Sequence, residues 1–319
     1  MRTDYLRVSV TNRCNLRCIY CHPLGDFDLI DHREALQLEE IRRIVGLFTQ
    51  CGIKKVRLTG GEPLLRNDIV RIVNTLSSIA GIKDLSITTN GAFLEPLASE
   101  LKAAGLQRVN ISIDTMNRGT YERMTGFDML PKVMDGISKA LEVGLSPVKI
   151  NSVIVKGLND SQKQIRALAE MSIRLPVAVR FVEYYPTNKN TKPACDYVPN
   201  REVKKIIEHK FGPLDGISIK NGYGPAVYFK IKNSAGAIGF INGRSSMFCH
   251  ECNRLRLTSD GKVKPCLYST NQYDLKELLR NDAGDQKILR LLRSILREKG
   301  TYTKLNSPVE EFSMQSIGG

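Results

Sequence analysis

The chain has 319 residues, of which 42% are hydrophobic and 25% are charged. This length allows one large α/β barrel or two domains, and the composition excludes a disordered, collagen-like or small disulfide-stapled protein. The 47 Lys and Arg residues exceed the 33 Asp and Glu residues, which gives a formal net charge of +14. Such a balance attracts anions, but without Trp and with 7% aromatic residues a base-stacking surface for nucleic acid is not indicated.

The sequence gives no sign of a membrane or export segment. No stretch reaches the roughly 18 uninterrupted apolar residues that a membrane helix needs. Arg2, Asp4 and Arg7 fall where a signal peptide would be apolar. The sequence therefore predicts a cytoplasmic protein, and in that reducing compartment clustered cysteines bind metal more often than they form disulfides.

Residues 5–185 alternate short strands with amphipathic helices. The predicted strands span residues 6–10, 56–58, 85–88, 109–113, 148–155 and 178–182. The predicted helices span residues 38–48, 67–80, 94–104, 130–143 and 160–174. About six strand–helix units favour an α/β fold with an incomplete (β/α)6-type TIM barrel, although an open doubly wound sheet would show the same pattern. Both folds place the ligand site at the carboxyl ends of the strands.

The pattern changes after a predicted loop at residues 186–200. The elements predicted beyond it are a helix at 201–210, two antiparallel strands at 226–231 and 237–241, and helices at 273–280 and 285–299. We therefore predict a barrel domain over residues 1–215 and a smaller C-terminal α+β domain over residues 216–319.

The last predicted helix carries a row of basic residues beside an apolar stripe. The basic residues are Lys287, Arg290, Arg293, Arg297 and Lys299. We interpret them as a solvated helix face rather than a nucleic-acid contact.

Cys14, Cys18 and Cys21 form a C-x3-C-x2-C motif directly after the first predicted strand. Three thiolates are one ligand short of a closed zinc site and one short of a cubane iron–sulfur cluster held entirely by protein. The motif thus indicates either a fourth ligand, such as His22, that completes a zinc site, or an iron left open for an exogenous molecule.

Cys249, Cys252 and Cys266 form a second group with the spacing C-x2-C-x13-C. A zinc ribbon would need another C-x2-C pair, and His250 lies between the first two cysteines, where binding the same metal would strain the loop. A second iron–sulfur cluster with one open iron is the better interpretation.

Two further motifs accompany the cysteines. Tyr20 directly precedes Cys21, and Gly60-Gly61-Glu62-Pro63 follows the second strand, a combination that resembles the radical S-adenosylmethionine (radical SAM) superfamily. Residues 248–258 (FCHECNRLRLT) and the double glycine that ends the chain are similar to the C-terminal region of the GTP 3′,8-cyclase family. The resemblance covers nearly the whole chain and is thinner between residues 187 and 245.

The resemblance implies an enzyme of the carbon–carbon lyase class that uses two [4Fe–4S] clusters and S-adenosylmethionine. In this family a 5′-deoxyadenosyl radical abstracts the ribose C3′ hydrogen of GTP, and the C3′ radical attacks guanine C8. The product, 3′,8-cyclo-7,8-dihydro-GTP, opens molybdopterin and molybdenum cofactor biosynthesis. GTP is then the substrate, and a molybdopterin-precursor enzyme is the downstream partner. A homodimer is implied, and neither nucleic acid nor a membrane is expected as a partner.

The resemblance also assigns roles to individual residues. The expected ligands are Cys14, Cys18 and Cys21 for the first cluster and Cys249, Cys252 and Cys266 for the second. The expected S-adenosylmethionine contacts are Tyr20, Gly61, Ser112, Arg180 and Tyr185. The expected GTP contacts are Arg7, Lys55, Arg57, Thr88, Lys149, Arg254, Leu255, Arg256, Gly318 and Gly319. Several cations suit a triphosphate, and arginine forks match phosphate oxygens.

Some alternatives stay open at this point. A peptide-maturing radical SAM enzyme also carries C-terminal clusters, typically with more auxiliary cysteines. A zinc-stapled nucleic-acid-binding protein would explain the charge but not the Gly60-Gly61-Glu62-Pro63 motif. Arg180 and Glu183 are equally interpreted as a structural ion pair. The two glycines of the motif also suit an ordinary tight turn.

Overall fold

The computed structural model describes residues 3–21, 30–31, 33–184, 197–218, 224–246, 249–267 and 269–301. Its strands are β1 (Tyr5–Ser9), β2 (Lys55–Thr59), β3 (Asp84–Thr89), β4 (Arg108–Ser112), β5 (Val148–Ile154), β6 (Val177–Glu183), β7 (Asp215–Ile217), β8 (Val227–Lys230), β9 (Ala237–Ile241), β10 (Arg254–Leu257), β11 (Lys262–Lys264) and β12 (Tyr273–Asp274). Its α-helices are α1 (Leu38–Gln50), α2 (Ile69–Ser77), α3 (Leu94–Ala103), α4 (Arg118–Thr125), α5 (Leu130–Glu142), α6 (Gln162–Arg174), α7 (Asn200–Phe211), α8 (Leu275–Arg280) and α9 (Asp285–Glu298). Tyr185, Gly318 and Gly319, three of the expected ligand contacts, lie outside the described residues.

One sheet organises the molecule, with its strands in the order β12-β11-β10-β1-β2-β3-β4-β5-β6-β9-β8-β7. Strands β1 to β6 are parallel neighbours in chain order, with helices between them. This order has no point at which the direction of winding reverses, so the doubly wound alternative is excluded. The α/β fold with a (β/α)6 arrangement is confirmed.

The C-terminal strands extend this sheet at both edges. β9 joins β6 in parallel, and β10 joins β1 in parallel. β8 and β9 are antiparallel to each other, as the sequence predicts. The segment from β9 to β10 therefore runs from one edge of the parallel array to the other, and it carries Cys249 and Cys252. The division of the chain at residues 215 and 216 stays a prediction.

Apolar and polar side chains alternate along the parallel strands. Leu6 and Val8 on β1, like Val56 and Leu58 on β2, are fully buried and belong to one core shared with the helices. The side chains between them lie on the opposite face, because successive residues of a strand point to opposite sides. We call this opposite face the inner face; at the strand centres it carries Arg7, Arg57, Ser86, Asn110, Lys149 and Arg180.

The inner face is concave. Arg57 on β2 and Arg180 on β6 interact electrostatically. On a flat sheet these strands would be about 19 Å apart, at about 4.8 Å per strand. The curvature of an incomplete barrel brings the two guanidinium groups closer together.

Helix α9 differs from its prediction at one residue. Lys299, directly after the helix, is only 6% exposed, so its interpretation as part of a solvated face was wrong. It follows Ile288, Leu292 and Ile295 at helical spacing and therefore continues the buried stripe. Among the described residues, no helix is long and apolar enough to cross a membrane.

Candidate functional site

The first cysteine motif lies in the loop that leaves the carboxyl end of β1. The backbone N–H of Arg17 donates to the Thr125 carbonyl at 2.7 Å, and that of Ile19 donates to the Met124 carbonyl at 3.0 Å. Both carbonyls belong to the end of α4, a short helix that the sequence reasoning did not predict. The loop is thus held by backbone hydrogen bonds, independently of any bound group.

The three thiols of this loop resist ionisation. Burial, then the neighbouring Cys14 and Asp114, raises the pKa of Cys21 to about 12. Burial, followed by Cys21, Asp114 and Cys14, raises the pKa of Cys18 well above its usual value. Burial also raises the pKa of Cys14. Three thiolates can be held together here only around a positively charged group, which is the chemistry of metal or iron–sulfur binding.

The donors of both cysteine regions fit an iron–sulfur cluster. The free thiols there are those of Cys14, Cys18 and Cys21 in the first region and of Cys249, Cys252 and Cys266 in the second. Each cysteine of a [4Fe–4S] cluster binds a different iron, so three thiols would leave one iron open for another molecule.

The glycines after β2 allow the two neighbouring loops to touch. A Cβ on Gly61 would lie 2.2 Å from the carbonyl oxygen of Arg13, and one on Gly60 would lie 2.4 Å from that of Thr11. Gly61 N–H donates to the Thr11 carbonyl at 2.8 Å. Glycine is therefore required here because the loop after β2 lies against the backbone just before Cys14. A contact of Gly61 with S-adenosylmethionine stays a prediction.

Glu62 is the buried centre of this end of the barrel. Its carboxylate accepts hydrogen bonds from Leu64 N–H at 3.0 Å, Thr89 Oγ1 at 2.7 Å and Asn90 N–H at 2.6 Å. Asn90 Nδ2 in turn donates to Asn15 Oδ1 at 2.8 Å, inside the cysteine loop. Burial raises the pKa of Glu62 to about 7 despite these donors. The motif glutamate thus ties the carboxyl ends of β2 and β3 to the first cysteine loop.

Asp114 is a site residue that the sequence reasoning missed. Its carboxylate accepts from the Tyr20 hydroxyl at 2.5 Å and from Val153 N–H at 2.8 Å. Burial raises its pKa to about 6. Asp114 follows Ser112, the last residue of β4, by two positions. A carboxylate just after a buried strand is the sequence feature that could have identified it as a site residue. Tyr20 is consequently fixed beside the cysteines by a hydrogen bond.

The second cysteine group lies at the opposite end of the barrel. Cys249 and Cys252 precede the amino end of β10, and Cys252 N–H donates to the Cys249 carbonyl at 3.1 Å. Cys266 follows β11, which is antiparallel to β10 and so ends at the same side. Strands of five residues separate the two cysteine regions by roughly 15 Å at 3.3 Å per residue.

Positive charge surrounds the second group. Burial opposes ionisation of Cys252, but the nearby Arg254 and Lys299, with a hydrogen bond from the Arg254 backbone, lower its pKa below the usual value. Next to it, Asn253 Nδ2 donates to Asp4 Oδ1 at 2.5 Å, and Lys55 Nζ pairs with Asp4 Oδ2 at 2.8 Å. The amino ends of β1, β2 and β10 are thereby joined beside the cysteines.

The expected GTP contacts come together on the inner face between the two groups. Register places Arg254 beside Tyr5, Arg256 beside Arg7, and Arg7 beside Arg57. The inner-face residues that the sequence analysis named are Arg7, Lys55, Arg57, Thr88, Ser112, Lys149, Arg180, Arg254 and Arg256. Leu255 differs, since its side chain is fully buried in the core on the helix side.

These cations repel one another in a buried setting. Burial, then Arg180, Arg108 and Arg57, lowers the pKa of Lys149 to about 7. Burial likewise lowers the pKa of Arg57 to about 10. Mutual repulsion on this scale favours a polyanion that would neutralise the group.

Several buried polar atoms on the inner face have no hydrogen-bond partner among the described residues. They are Arg7 Nε, Thr88 Oγ1, Asn151 Oδ1 and Arg180 Nε. Buried polar groups are nearly always satisfied in folded proteins, so a group of unsatisfied ones on one concave face indicates a ligand site.

Arg180 lies among these cations rather than in an ion pair. Its Nη2 donates to Asn110 Oδ1 at 2.8 Å. Glu183 lies on the other face of β6 and accepts from the backbone N–H groups of Asn200, Arg244 and Ser245. The interpretation of Arg180 and Glu183 as a structural pair was therefore wrong.

Arg108 is a further cation that the sequence reasoning missed. It opens β4 on the inner face and is held by both oxygens of Asp84. With Lys55 and Asp84 it lines a cavity of about 750 Å³ at the amino ends of the strands, where Lys83 and Lys102 add further positive charge. An arginine at the first position of a buried strand is the sequence feature that could have identified Arg108 as a site residue.

Comparison with known proteins gives matches over nearly the whole chain. Residues 8–169 match the model of the Radical SAM superfamily, and residues 177–305 match that of Molybdenum Cofactor Synthesis C. A protein of Pelotomaculum thermopropionicum named GTP 3′,8-cyclase is 43% identical over 99% of this chain and 97% of its own length. One of the same name from Alkaliphilus oremlandii is 42% identical over 100% of this chain and 98% of its own.

Among solved structures, Streptococcus suis SuiB bound to S-adenosylmethionine has a similar fold. Its TM-score is 0.63 at 16% sequence identity, over 97% of this chain and 71% of that one. At this identity the likeness shows the fold alone. The two family models and the full-length relatives decide the matter: the chain belongs to the radical SAM superfamily and, within it, to the family of the GTP 3′,8-cyclases.

Proposed function

We propose that this chain converts GTP to 3′,8-cyclo-7,8-dihydro-GTP, the first step of molybdenum cofactor biosynthesis. The observation that carries the proposal is the concave inner face, rich in buried cations and unsatisfied polar atoms, with a cysteine triad at each end. A nucleoside triphosphate offers the several negative charges that such a surface needs. The full-length relatives named GTP 3′,8-cyclase support the same activity.

Two [4Fe–4S] clusters and S-adenosylmethionine are the cofactors of this family. Cys14, Cys18 and Cys21 would hold the first cluster, and Cys249, Cys252 and Cys266 the second. When bound, the first cluster and S-adenosylmethionine supply the 5′-deoxyadenosyl radical that removes a hydrogen atom from the substrate ribose.

The carboxyl ends of the strands would hold S-adenosylmethionine. Ser112 ends β4 on the inner face, and Gly61 and Tyr20 are fixed in the loops beside it by backbone contacts and by Asp114. Tyr185, outside the described residues, belongs to the same proposed set. Buried Glu62 keeps these loops in register, so the cofactor would meet a site that is already formed.

The middle and the amino end of the inner face would hold GTP. Arg7, Lys149 and Arg256 are buried cations and Arg57 beside them is half-buried, and the four would share the triphosphate charge. Arg180 interacts electrostatically with Arg57 and Lys149 of this group, so its position favours the triphosphate over the S-adenosylmethionine carboxylate.

The remaining predicted GTP contacts complete this assignment as proposals. Thr88 has an unsatisfied hydroxyl on the same face, and Lys55 and Arg254 lie nearer the second cysteine group. Leu255, whose side chain is in the core, would contact a ligand through its backbone. Gly318 and Gly319, outside the described residues, are retained as expected contacts.

Positioning is the main contribution of the protein to this chemistry. A carbon radical discriminates little between C–H bonds, so selectivity requires that one hydrogen be held beside it. The cations at the strand centres would fix the triphosphate, while the loops of Glu62 and Asp114 would fix the cofactor at the carboxyl ends of the same strands. We further propose a cytoplasmic location, a homodimer, and delivery of the product to a molybdopterin-precursor enzyme.

The test is anaerobic reconstitution of the full chain with iron and sulfide, followed by incubation with S-adenosylmethionine, GTP and a strong reductant. Mass spectrometry would follow 5′-deoxyadenosine and the cyclised nucleotide. We expect about eight irons per chain, from two [4Fe–4S] clusters, and GTP-dependent formation of both products.

Other outcomes separate the parts of the proposal. Formation of 5′-deoxyadenosine with GTP left intact would retain the radical chemistry and refute the substrate. Absence of both products from a protein with intact clusters would refute the activity itself. ATP in place of GTP is the matched control, because it carries the same triphosphate on a different base.

A further inference from the structure

Lys299 contacts a cysteine of the second group. Its Nζ lies 3.6 Å from Cys252 Sγ, within hydrogen-bond reach of a sulfur acceptor. The residue is only 6% exposed, although it follows the last turn of α9 near the end of the described chain. An ammonium group is thus held inside the protein against a cysteine.

The position of Lys299 in the helix pattern makes this placement informative. Ile288, Leu292 and Ile295 occupy the preceding positions of the buried stripe, so packing alone would favour another apolar residue here. Burial of an ammonium group is costly unless it is paired. The partner that the described structure supplies is the sulfur of Cys252.

We propose that Lys299 is a positioning residue that donates a hydrogen bond to the Cys252 thiolate and raises the reduction potential of the cluster held there. The inference rests on the proposed function, because it requires that Cys252 bind an iron–sulfur cluster. Hydrogen bonds and positive charge at a ligand sulfur stabilise the more negative, reduced cluster. Lys299 therefore makes the second cluster easier to reduce than its three thiolates alone would.

The experiment uses the full chain with Cys14, Cys18 and Cys21 all changed to Ala, so that only the second cluster is reconstituted. In this background Lys299→Met removes the charge and the donor at similar volume, while Lys299→Arg keeps both. Lys287→Met, on the exposed face of the same helix, is the matched control. Iron content and the midpoint potential from an EPR-monitored redox titration are measured for each protein.

We expect Lys299→Met to shift the midpoint potential to a more negative value, and Lys299→Arg and Lys287→Met to leave it near that of the parent. An unchanged potential in Lys299→Met, with iron content retained, would overturn the inference. If Lys299→Met loses the second cluster, retention of that cluster by Lys299→Arg would support the hydrogen bond from residue 299 to Cys252. If both variants lose the cluster and their melting temperatures fall equally, Lys299 has only a packing role and the inference is overturned.

Failure of the proposed function is observed separately. GTP turnover is measured in the chain with both clusters, whereas the potential is measured without GTP and without the first cluster. A wild-type chain that holds both clusters and leaves GTP intact would refute the activity and would leave the effect of Lys299 on the potential standing.

Discussion

The two cysteine regions present three thiols each in opposite electrostatic settings. Around the first, the buried carboxylates Glu62 and Asp114 lie close to thiols whose pKa values are raised. Around the second, Arg254 and Lys299 lower the pKa of Cys252. Negative surroundings disfavour reduction of a cluster, and positive surroundings attract an anionic substrate. The comparison shows that one barrel holds two cysteine regions whose surroundings carry charge of opposite sign.

The two regions also differ in how the chain builds them. The first is a loop directly after β1 in which three cysteines fall within eight residues, braced by backbone hydrogen bonds to α4 and to the loop after β2. The second joins Asp4, the neighbouring residues Cys252 and Asn253, and Lys299, which come from three distant parts of the chain. The thiols of the first region are therefore close together in sequence, although both regions depend on contacts between distant parts of the chain.

Loss of one cysteine from each region should give the largest and most different effects. Cys14→Ala should abolish formation of 5′-deoxyadenosine, because the first cluster would lose one of its three proposed ligands. Cys249→Ala should spare S-adenosylmethionine binding and reduce cyclisation of GTP to background. Both variants are assayed by mass spectrometry for the two products, and normal cyclisation by Cys249→Ala would refute a substrate role for the second cluster.

Gly61→Ala tests whether the first region is built by close backbone contact. The added Cβ would meet the Arg13 carbonyl oxygen at 2.2 Å, so the cysteine loop must move. We expect a cost of about 1–3 kcal/mol and loss of the first cluster, with about four irons retained at the second. Iron analysis and EPR give the result, and eight retained irons with normal activity would show that the loops tolerate the contact.

Arg57→Met tests the cationic inner face. Removal of this half-buried charged donor should weaken GTP binding roughly 10- to 100-fold, because hydrogen bonds to charged groups contribute about 1.5–3 kcal/mol. Binding of S-adenosylmethionine should be unchanged. Isothermal titration calorimetry measures both affinities, with the exposed Arg290→Met as the control for net charge. Equal GTP affinity in Arg57→Met and Arg290→Met would show that Arg57 does not contact GTP.

Lys149 should give the smallest effect, in the pH dependence of binding. Its pKa, lowered to about 7 by burial and by Arg180, Arg108 and Arg57, rises when a triphosphate binds beside it. Binding at pH 7 should then take up about half a proton, and affinity should fall as the pH increases through 7. Calorimetry in buffers of different ionisation enthalpy measures the uptake. Lys149→Met should abolish it, and uptake that persists in this variant would assign the proton to another group.

Much of the first region could be predicted from sequence because its signals are local. The strands from β1 to β6 alternate with helices, and the cysteine spacing and the Gly60-Gly61 pair are contiguous motifs. Asp114 could not be assigned in this way, because its partner Tyr20 is distant in sequence. Lys299 was assigned to the wrong face, because a lysine inside an apolar stripe is ordinarily solvated and its sulfur partner is on another element.

By itself, the sequence determined the alternation of strands β1 to β6 with helices, the two sets of cysteines and the family, since these depend on residue types at short spacing. Only the tertiary structure decided that β10 pairs in parallel with β1 and thereby sets Cys252 and Arg254 at the amino end of the barrel. It also decided that Leu255 points into the core while Arg254 and Arg256 face the barrel interior. Register between distant strands selects the face of every side chain, and no local pattern of the sequence contains that pairing.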